Sequence, residues 1–151
     1  DADTVAELVR DAAAIKADIV EADVREAGDR ALLNFGHTIG HGIEASLPYG
    51  AMLHGEAISL GIRAALYLSE KVNGFPADQS KRILDLLKQF QLPLTLPEHI
   101  STDIVMDKLS HDKKFTGGNI KFVLLTAPGA AEVSTKVSLD MIREAVEHLR
   151  N

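Results

Sequence analysis

The sequence predicts a mainly α-helical fold, a helical bundle with one small antiparallel β-hairpin. Along most of the chain, apolar residues recur at the 3–4-residue spacing of amphipathic helices. Only the runs at 120–125 and 132–137 have the pattern of strands, and a Pro-Gly turn lies between them. The composition, with 46% hydrophobic and 5% aromatic residues, also favours helices. We therefore expect six or so helices and a hairpin near residues 119–137.

The overall composition restricts the class of protein. The 151 residues have the length of one ordinary domain, and without cysteine any metal must be held by His and carboxylate side chains. No apolar run has the eighteen residues of a membrane span and no signal peptide opens the chain, so we expect a cytoplasmic protein without membrane contact. A net charge of −6 argues against nucleic acid but allows a small anionic substrate. Because the chain begins at Asp1 rather than Met, we expect it to be part of something longer.

Residues 3–24 predict the first helix. Its inner face is expected to carry the apolar residues at helical spacing, namely Val5, Leu8, Val9, Ala12, Ile15 and Ile19. Lys16 lies near that face, where it either extends its stem along the edge of the core or has a functional role. The Ala27-Gly28-Asp29 segment then breaks the helix, and Asp29 is a plausible cap for the next one.

The central stretch, RALLNFGHTIGHGIE at 30–44, predicts a functional site. As one continuous helix it would place four polar residues within about 60° of one another, at roughly 100° of rotation per residue. These residues are Arg30, Asn34, His37 and His41. Imidazole, amide and guanidinium groups on one face are typical of a metal or anion site rather than of a solvated surface. Gly36 and Gly40 lie on a flank, where the lack of a Cβ would allow close approach of another backbone or a ligand.

Histidine spacing suggests a metal site within this stretch. His37 and His41 are four residues apart, a helical spacing at which two imidazoles can share one ion; a pair of structural histidines is the alternative. His54 follows in LHGEA. A helix running to Ser46 would leave His37 about 13 Å below its end at 1.5 Å per residue, so the Pro48-containing loop must fold back if His54 is to join the site.

The remaining elements follow in order. We expect a buried helix at 55–72 ended by Asn73-Gly74, a helix at 76–90 and an extended connector at 91–97. A short helix from Ser101 or Thr102 to Leu109 should follow. The hairpin across Pro128-Gly129 and a last helix capped by Ser138 complete the chain. The inner face of the 76–90 helix should carry Ile83, Leu84, Leu87 and Phe90. Lys113 and Lys114 precede a Gly-Gly turn, where they are either solvated charge or part of an anion site. We interpret His99, His111 and His148 as surface or packing residues.

Three stretches together resemble a known family. RALLNFGHTIGHGIE, LHGEAISLGI and HDKKFTGGNIKFVLL are similar to the C-terminal domain of the 3-dehydroquinate synthases, which are sugar-phosphate cyclases. The resemblance covers nearly the whole chain. It implies that residues 1–151 form the metal- and substrate-binding helical domain, which closes against an N-terminal NAD-binding α/β domain. This chain has no GxGxxG-like segment that could replace that domain.

The resemblance also implies roles for individual residues. His37 and His54 match the family's zinc ligands, and His41 matches its catalytic acid/base histidine. The matching substrate-binding positions are Lys16, Arg30, Asn34 and one lysine of the pair Lys113 and Lys114. The spacing of His37 and His41 favours these two as the ligand pair instead, so two ligand assignments stand at this point.

By resemblance the activity is that of a carbon–oxygen lyase in the shikimate pathway of aromatic amino acid biosynthesis. The family converts 3-deoxy-D-arabino-heptulosonate 7-phosphate to 3-dehydroquinate and phosphate, using NAD and zinc or another divalent metal such as cobalt. The carboxylate and phosphate of that substrate suit Arg, Lys and amide donors. The NAD segment and a third zinc ligand, a glutamate, belong to the absent half. We therefore expect this chain to be inactive alone. The resemblance also implies a homodimer when the protein is full length.

Two other interpretations remain. One is a sister cyclase of the 2-deoxy-scyllo-inosose or valiolone type, or more distantly a metal-dependent polyol dehydrogenase. The other is a stand-alone helical domain that binds metal without catalysis.

Overall fold

The computed structural model describes residues 1–24, 28–110 and 120–151, and within them the protein is mainly helical. The helices are α1 (Ala2–Ala22), a 3-10 helix (Asp29–Asn34), α2 (His37–Ala45), α3 (His54–Asn73), α4 (Ala77–Gln89), α5 (Thr102–Ser110) and α6 (Leu139–His148). The strands β1 (Phe122–Ala127) and β2 (Ala130–Ser134) form a two-stranded antiparallel sheet. The predicted helical fold with one hairpin is confirmed. None of the described helices is both long and apolar enough to span a membrane.

The chain divides into two compact units, residues 1–34 and 35–151. In the first unit, the Asp1 side chain caps α1 by accepting the Thr4 N–H at 2.8 Å. After α1, the Asp23 carboxylate accepts the backbone N–H groups of Gly28 and Arg30. These bonds link the end of α1 to the start of the 3-10 helix. The capping role predicted for the Asp29 side chain lies outside the described residues.

The apolar face predicted for α1 is not a buried face. No residue of α1 is buried, and Val5, Leu8, Val9 and Ile15 are each 51–64% exposed. The prediction of the helix is therefore confirmed, whereas the prediction that this face packs into a core is wrong for the described residues. Helical periodicity determines which side chains share a face, but burial depends on what lies against that face.

The single helix predicted across 30–44 is wrong. The 3-10 helix ends at Asn34, Gly36 adopts the left-handed conformation with φ of 76°, and α2 begins at His37. Arg30 and Asn34 therefore do not share the face of one helix with the histidines. The break has a packing cause, because a Cβ at Gly36 would lie 2.7 Å from the backbone nitrogen of Ile62 on α3.

The core of the second unit surrounds α3, which is buried most of the way round, as its sequence predicts. α2 contributes Ile39 and Ile43, both at most 1% exposed. The other fully buried large side chains come from α3, the connector before α5, α5, β1 and α6, namely Leu60, Leu66, Leu68, Leu96, Val105, Leu109, Leu124, Ile142, Val146 and Leu149. One continuous apolar cluster thus fixes α2 and α3 against the rest of the unit.

The hairpin forms where it was predicted, with different ends. β1 and β2 are joined by the two-residue turn Pro128-Gly129, and Gly129 supplies a φ of 79°. The Ser69 hydroxyl of α3 accepts the Leu125 N–H at 2.9 Å, and Asn73 donates to the Leu125 carbonyl at 3.1 Å. These bonds attach the sheet to the C-terminal half of α3.

Helices α4 and α6 complete the second unit. Ser138 caps α6 by accepting the Met141 N–H, as predicted. Arg63 of α3 donates to the carbonyls of Leu94 and His148, which ties the connector and the end of α6 to α3.

On α4 the predicted inner face is only partly covered, since Phe90 is 55% exposed. Ile83, Leu84 and Leu87 are half-buried, and Ser80 is the helix's buried residue.

Candidate metal centre

Three imidazoles meet where α2 and α3 begin. His37 is the first residue of α2, His54 is the first residue of α3, and His41 lies one turn into α2. The ring centroids are 5.4 Å apart for His37 and His41, 5.7 Å for His37 and His54, and 5.6 Å for His41 and His54. One ring nitrogen from each residue lies within 4.8 Å of the others. The chain between the helices folds back, as required for His54 to join the other two.

Close packing of α2 on α3 produces this arrangement. A Cβ at Gly40 would lie 2.8 Å from the Ile58 side chain and 3.0 Å from the Ala57 carbonyl oxygen. The predicted role of Gly36 and Gly40, allowing another backbone to approach, is therefore confirmed, and α3 is the partner. The two helices run in opposite directions along this contact, since Gly36 lies against Ile62 whereas Gly40 lies against Ala57 and Ile58. The start of α3 therefore lies beside the last turn of α2, where His54 contacts Glu44.

Hydrogen bonds orient the rings of His37 and His54. The Nδ1 atom of His37 lies 3.1 Å from the Phe35 carbonyl oxygen, and the Nδ1 atom of His54 lies 3.1 Å from Oε2 of Glu44. A carbonyl and a carboxylate oxygen can only accept, so Nδ1 must be the donor in each bond. In a neutral ring this leaves the lone pair on Nε2. Metal-ligating histidines commonly have such a donor bond to an oxygen on the opposite side of the ring.

The site is accessible from solvent. His37 is half-buried, whereas His41 and His54 are exposed. His41, Glu44 and His54 line one part of a cavity of about 680 Å³, whose other walls come from the 45–53 segment. Tyr49 and Leu53 on that segment are 108% and 70% exposed. A small molecule could therefore reach the imidazoles directly.

The donor set fits a divalent metal of the zinc or cobalt type. Imidazole nitrogen suits these ions, and catalytic zinc sites usually have three protein ligands and one open position. Among the described residues, the group of possible ligands consists of the three histidines and includes no carboxylate. Two ligand sets fit: all three imidazoles, or His37 and His54 with a ligand from elsewhere.

The substrate-binding residues predicted in the first unit have local contacts within that unit or are exposed. Lys16 is exposed on α1. Nη1 of Arg30 donates to the Val24 carbonyl at 2.9 Å, and the Asn34 amide donates to the Ala31 carbonyl at 3.2 Å. Their role toward a substrate stays a prediction. Lys113 and Lys114 lie outside the described residues, as does His111.

The remaining histidines are away from the cluster. His99 is exposed. His148 stacks on Tyr67, with ring centroids 4.3 Å apart and an interplanar angle of 21°. Burial lowers the pKa of His148 below its usual value, and the nearby charge of Arg63 acts in the same direction. It is therefore a packing residue of the α3–α6 contact.

Glu44 is the residue at this site that sequence reasoning missed. It is the last letter of the motif RALLNFGHTIGHGIE, three positions after His41 and seven after His37. Those spacings place it on the histidine face of α2. The periodicity was thus a usable signal, but the partner, His54, comes from another helix.

Comparisons with known proteins agree on one family. Residues 1–115 match the family model described as 3-dehydroquinate synthase C-terminal. The 3-dehydroquinate synthase of Vibrio atlanticus is 41% identical over 150 residues, covering 99% of this chain and 41% of that protein. The enzyme of the same name from Shewanella frigidimarina is 43% identical over 132 residues, covering 87% and 37%. The chain thus spans about two fifths of the length of these relatives.

Solved structures share the fold. A 2-deoxy-scyllo-inosose synthase, complexed with carbaglucose-6-phosphate, NAD+ and Co2+, superposes with a TM-score of 0.73 at 25% identity, over 83% of this chain and 37% of that one. The 2-epi-5-epi-valiolone synthase ValA from Streptomyces hygroscopicus, with NAD+ and Zn2+ bound, has a TM-score of 0.73 at 23% identity, over 87% and 36%. At 23% identity, the likeness to the valiolone synthase shows a shared fold alone.

Proposed function

We propose, from the premise that this chain belongs to the family of 3-dehydroquinate synthase C-terminal domains, that it is the metal- and substrate-binding half of that lyase. Membership follows from the family match over residues 1–115 and from relatives of that name at 41–43% identity. The proposed reaction is the conversion of 3-deoxy-D-arabino-heptulosonate 7-phosphate to 3-dehydroquinate and phosphate, in the cytoplasm. The single observation that supports a catalytic role for this chain is the group of three imidazoles at the start of α2 and α3.

The three imidazoles have different proposed roles. His37 and His54 hold the metal. This assignment is supported by the Nδ1 donor bond of each ring, which leaves Nε2 for an ion. A divalent ion held there would supply Lewis acidity toward the substrate oxygens. His41 stays unligated in the working enzyme and moves a proton near the departing phosphate. General acid/base catalysis of this kind typically contributes about 10²–10⁴ in rate.

Substrate recognition is proposed to use cationic and amide side chains, namely Lys16, Arg30, Asn34 and one lysine of the pair Lys113 and Lys114. Guanidinium groups bind carboxylate and phosphate in a bidentate manner, and lysine supplies a point charge to phosphate. The substrate carries both anionic groups, which explains the residue types.

The proposal places NAD on a separate N-terminal domain. The described part of this chain has a two-stranded antiparallel sheet and no strand–glycine–helix unit of the kind that binds dinucleotides. The working enzyme would be a homodimer of two-domain subunits, and this chain alone would be inactive.

A sister cyclase is the second candidate, because an inosose synthase shares the fold at a TM-score of 0.73. The two candidates differ in substrate. A full-length enzyme that releases phosphate from the seven-carbon acid phosphate and not from a hexose 6-phosphate is a dehydroquinate synthase. The opposite preference identifies the sister activity.

Metal analysis of three variants of the full-length enzyme tests the assignment. His37→Ala and His54→Ala should lose the metal, whereas His41→Ala should keep one equivalent and lose about 10²-fold or more in kcat. A metal-free His41 variant together with a fully loaded His54 variant would show that the spacing-based pair, His37 and His41, holds the ion. Loss of metal in all three variants would indicate three imidazole ligands.

A further inference from the structure

We propose that Glu44 is a positioning residue of the metal centre: its carboxylate holds the His54 imidazole as the Nδ1–H tautomer, so that Nε2 is the atom offered to the metal. This inference deepens the proposed function and rests on it for the role of the metal. The assignment of the tautomer rests on the protein alone.

The geometry leaves one choice of donor. Oε2 of Glu44 lies 3.1 Å from Nδ1 of His54, across the gap between the C-terminal turn of α2 and the first residue of α3. An ionised carboxylate has no proton to donate, so the bond forms only when Nδ1 carries one. In a neutral imidazole the other nitrogen then has the free lone pair. Without an acceptor at this place, either nitrogen of His54 could carry the proton.

The position of Glu44 is not explained by helix stability. It lies in the last turn of α2, where the negative end of the helix dipole disfavours an anion, and that turn has no basic residue. Among the described residues, the hydrogen-bond partner of its carboxylate is the His54 ring. The side chain is 39% exposed and that of His54 is 55% exposed. A carboxylate held at an unfavourable helix end and directed at an imidazole is consistent with orientation of that ring.

The second proposed ligand provides an internal reference. His37 has the same type of bond, from Nδ1 to the Phe35 carbonyl oxygen at the same distance of 3.1 Å. That acceptor is a backbone atom, so side-chain substitution at Glu44 should leave it in place. The two rings therefore differ in one respect that an experiment can use: only the orientation of His54 depends on a replaceable group.

Imidazole ¹⁵N NMR on the metal-free chain, at a pH where the rings are neutral, tests the tautomer directly. In the wild type, both His37 and His54 should have the proton on Nδ1. Glu44→Ala should convert His54 to a mixture or to the Nε2–H form and leave His37 unchanged. Glu44→Gln should keep most of the Nδ1–H form, because an amide oxygen still accepts. A purely structural role of Glu44 would not change the tautomer of one ring selectively.

Metal affinity provides the second readout, measured with Co²⁺ or Zn²⁺ alone. Glu44→Ala should weaken binding by about 10- to 100-fold, the usual effect of removing such a partner, and Glu44→Gln should weaken it less. Glu56→Gln is the matched control. The Glu56 carboxylate also lies close to His54 in sequence but accepts the Leu53 N–H at 2.8 Å, and glutamine keeps that capping bond. Its dissociation constant should stay within about twofold of wild type.

Three outcomes overturn the proposal: a wild-type His54 with its proton on Nε2, a Glu44→Ala variant with an unchanged His54 tautomer, or equal loss of affinity in the Glu44→Ala and Glu56→Gln variants. Circular dichroism of each variant identifies unfolding, and Glu44→Gln provides a test that keeps the side-chain volume. If the wild type binds no metal while Glu44→Ala still shifts the His54 tautomer, the proposed function fails and the positioning by Glu44 stands.

Discussion

Gly61 of α3 lies against the carbonyl oxygen of Gly36, so closely that a Cβ on residue 61 would be 2.0 Å from that oxygen. The same Cβ would be 2.7 Å from the backbone nitrogen of Gly40. Because real Cβ atoms do not approach within 3.0 Å of other atoms, the two segments can only pack this way with glycine at position 61. His37 directly follows Gly36, so this contact also sets the distance between α3 and the first of the three clustered imidazoles.

We expect Gly61→Ala to lower the free energy of unfolding by about 1–3 kcal/mol, the range for overpacking a tight contact, and to weaken metal binding as α2 shifts. Gly55→Ala is the matched control on the same helix. Nothing lies within 4 Å of a Cβ at Gly55, so alanine should be neutral or should stabilise by up to about 1 kcal/mol. Urea titration measures both. Equal stability of the Gly61 variant and the wild type would contradict the close contact.

The isolated chain should show no synthase activity with NAD+ supplied and only weak zinc affinity, because two imidazoles are fewer than the three protein ligands of a usual catalytic site. Adding the N-terminal half in trans should restore both. Zinc titration followed by an activity assay checks the prediction. Tight zinc binding that disappears in His41→Ala would mean that this chain holds the ion with three imidazoles, and turnover without the second half would refute the placement of NAD.

Acidification should destabilise the protein through His148. Its pKa is lowered in the folded state, first by burial and then by Arg63, although Glu70 and Glu144 act in the opposite direction. The unfolded chain therefore takes up the proton more readily, and the stability contributed by the neutral ring is complete above about pH 6.5 and lost as the pH falls through the folded pKa.

Urea titrations at several pH values between 7.5 and 5 measure this effect. His148→Phe, which keeps an aromatic ring for stacking on Tyr67, should reduce the loss of stability on acidification in that range. The lowered pKa of Glu144 acts only below its usual value of 4.5, so it does not enter this window. An identical pH dependence in the variant and the wild type would exclude His148 as the source.

Arg63 should be among the most important polar residues for stability. Its guanidinium donates to the carbonyls of Leu94, His148 and Asn151. Arg63→Met would leave these acceptors without a donor, and we expect a cost of about 2–4 kcal/mol. Arg63→Lys should recover only part of that, because a single ammonium cannot reproduce the fork of donors. Arg82→Met, at an exposed position of α4, should stay within about 0.5 kcal/mol of wild type.

Elements with local signals were predictable from the sequence. Gly74 in the left-handed conformation ends α3, Ser138 caps α6, and Pro128-Gly129 turns the hairpin, each at the place its residue type indicates. Such signals act within a few residues and need no knowledge of the rest of the fold. The three-histidine group was predictable in part, because the spacing placed His37 and His41 together, and His54 could join them only if the 46–53 segment folded back.

Features that depend on distant contacts were not predictable in the same way. The periodicity of residues 30–44 favours one helix, but the approach of Ile62 and Gly61 of α3 places Gly36 in a left-handed conformation and divides the segment. The exposed apolar residues of α1 show the same limit, since spacing cannot specify a covering surface. The hydrogen bond between Glu44 and His54 was not predictable, because His54 begins a different helix.

His37 and His54 are only seventeen positions apart in the chain. An ion bound to both would act as a short cross-link that closes the loop from α2 to the start of α3. Cross-linking a loop of about this length removes on the order of 3 kcal/mol of chain entropy from the unfolded ensemble. The stabilisation would be local at first, so amide hydrogen exchange should slow most in α2 and the first turns of α3. The β1–β2 hairpin and α6 would then keep the opening rates that they have without metal.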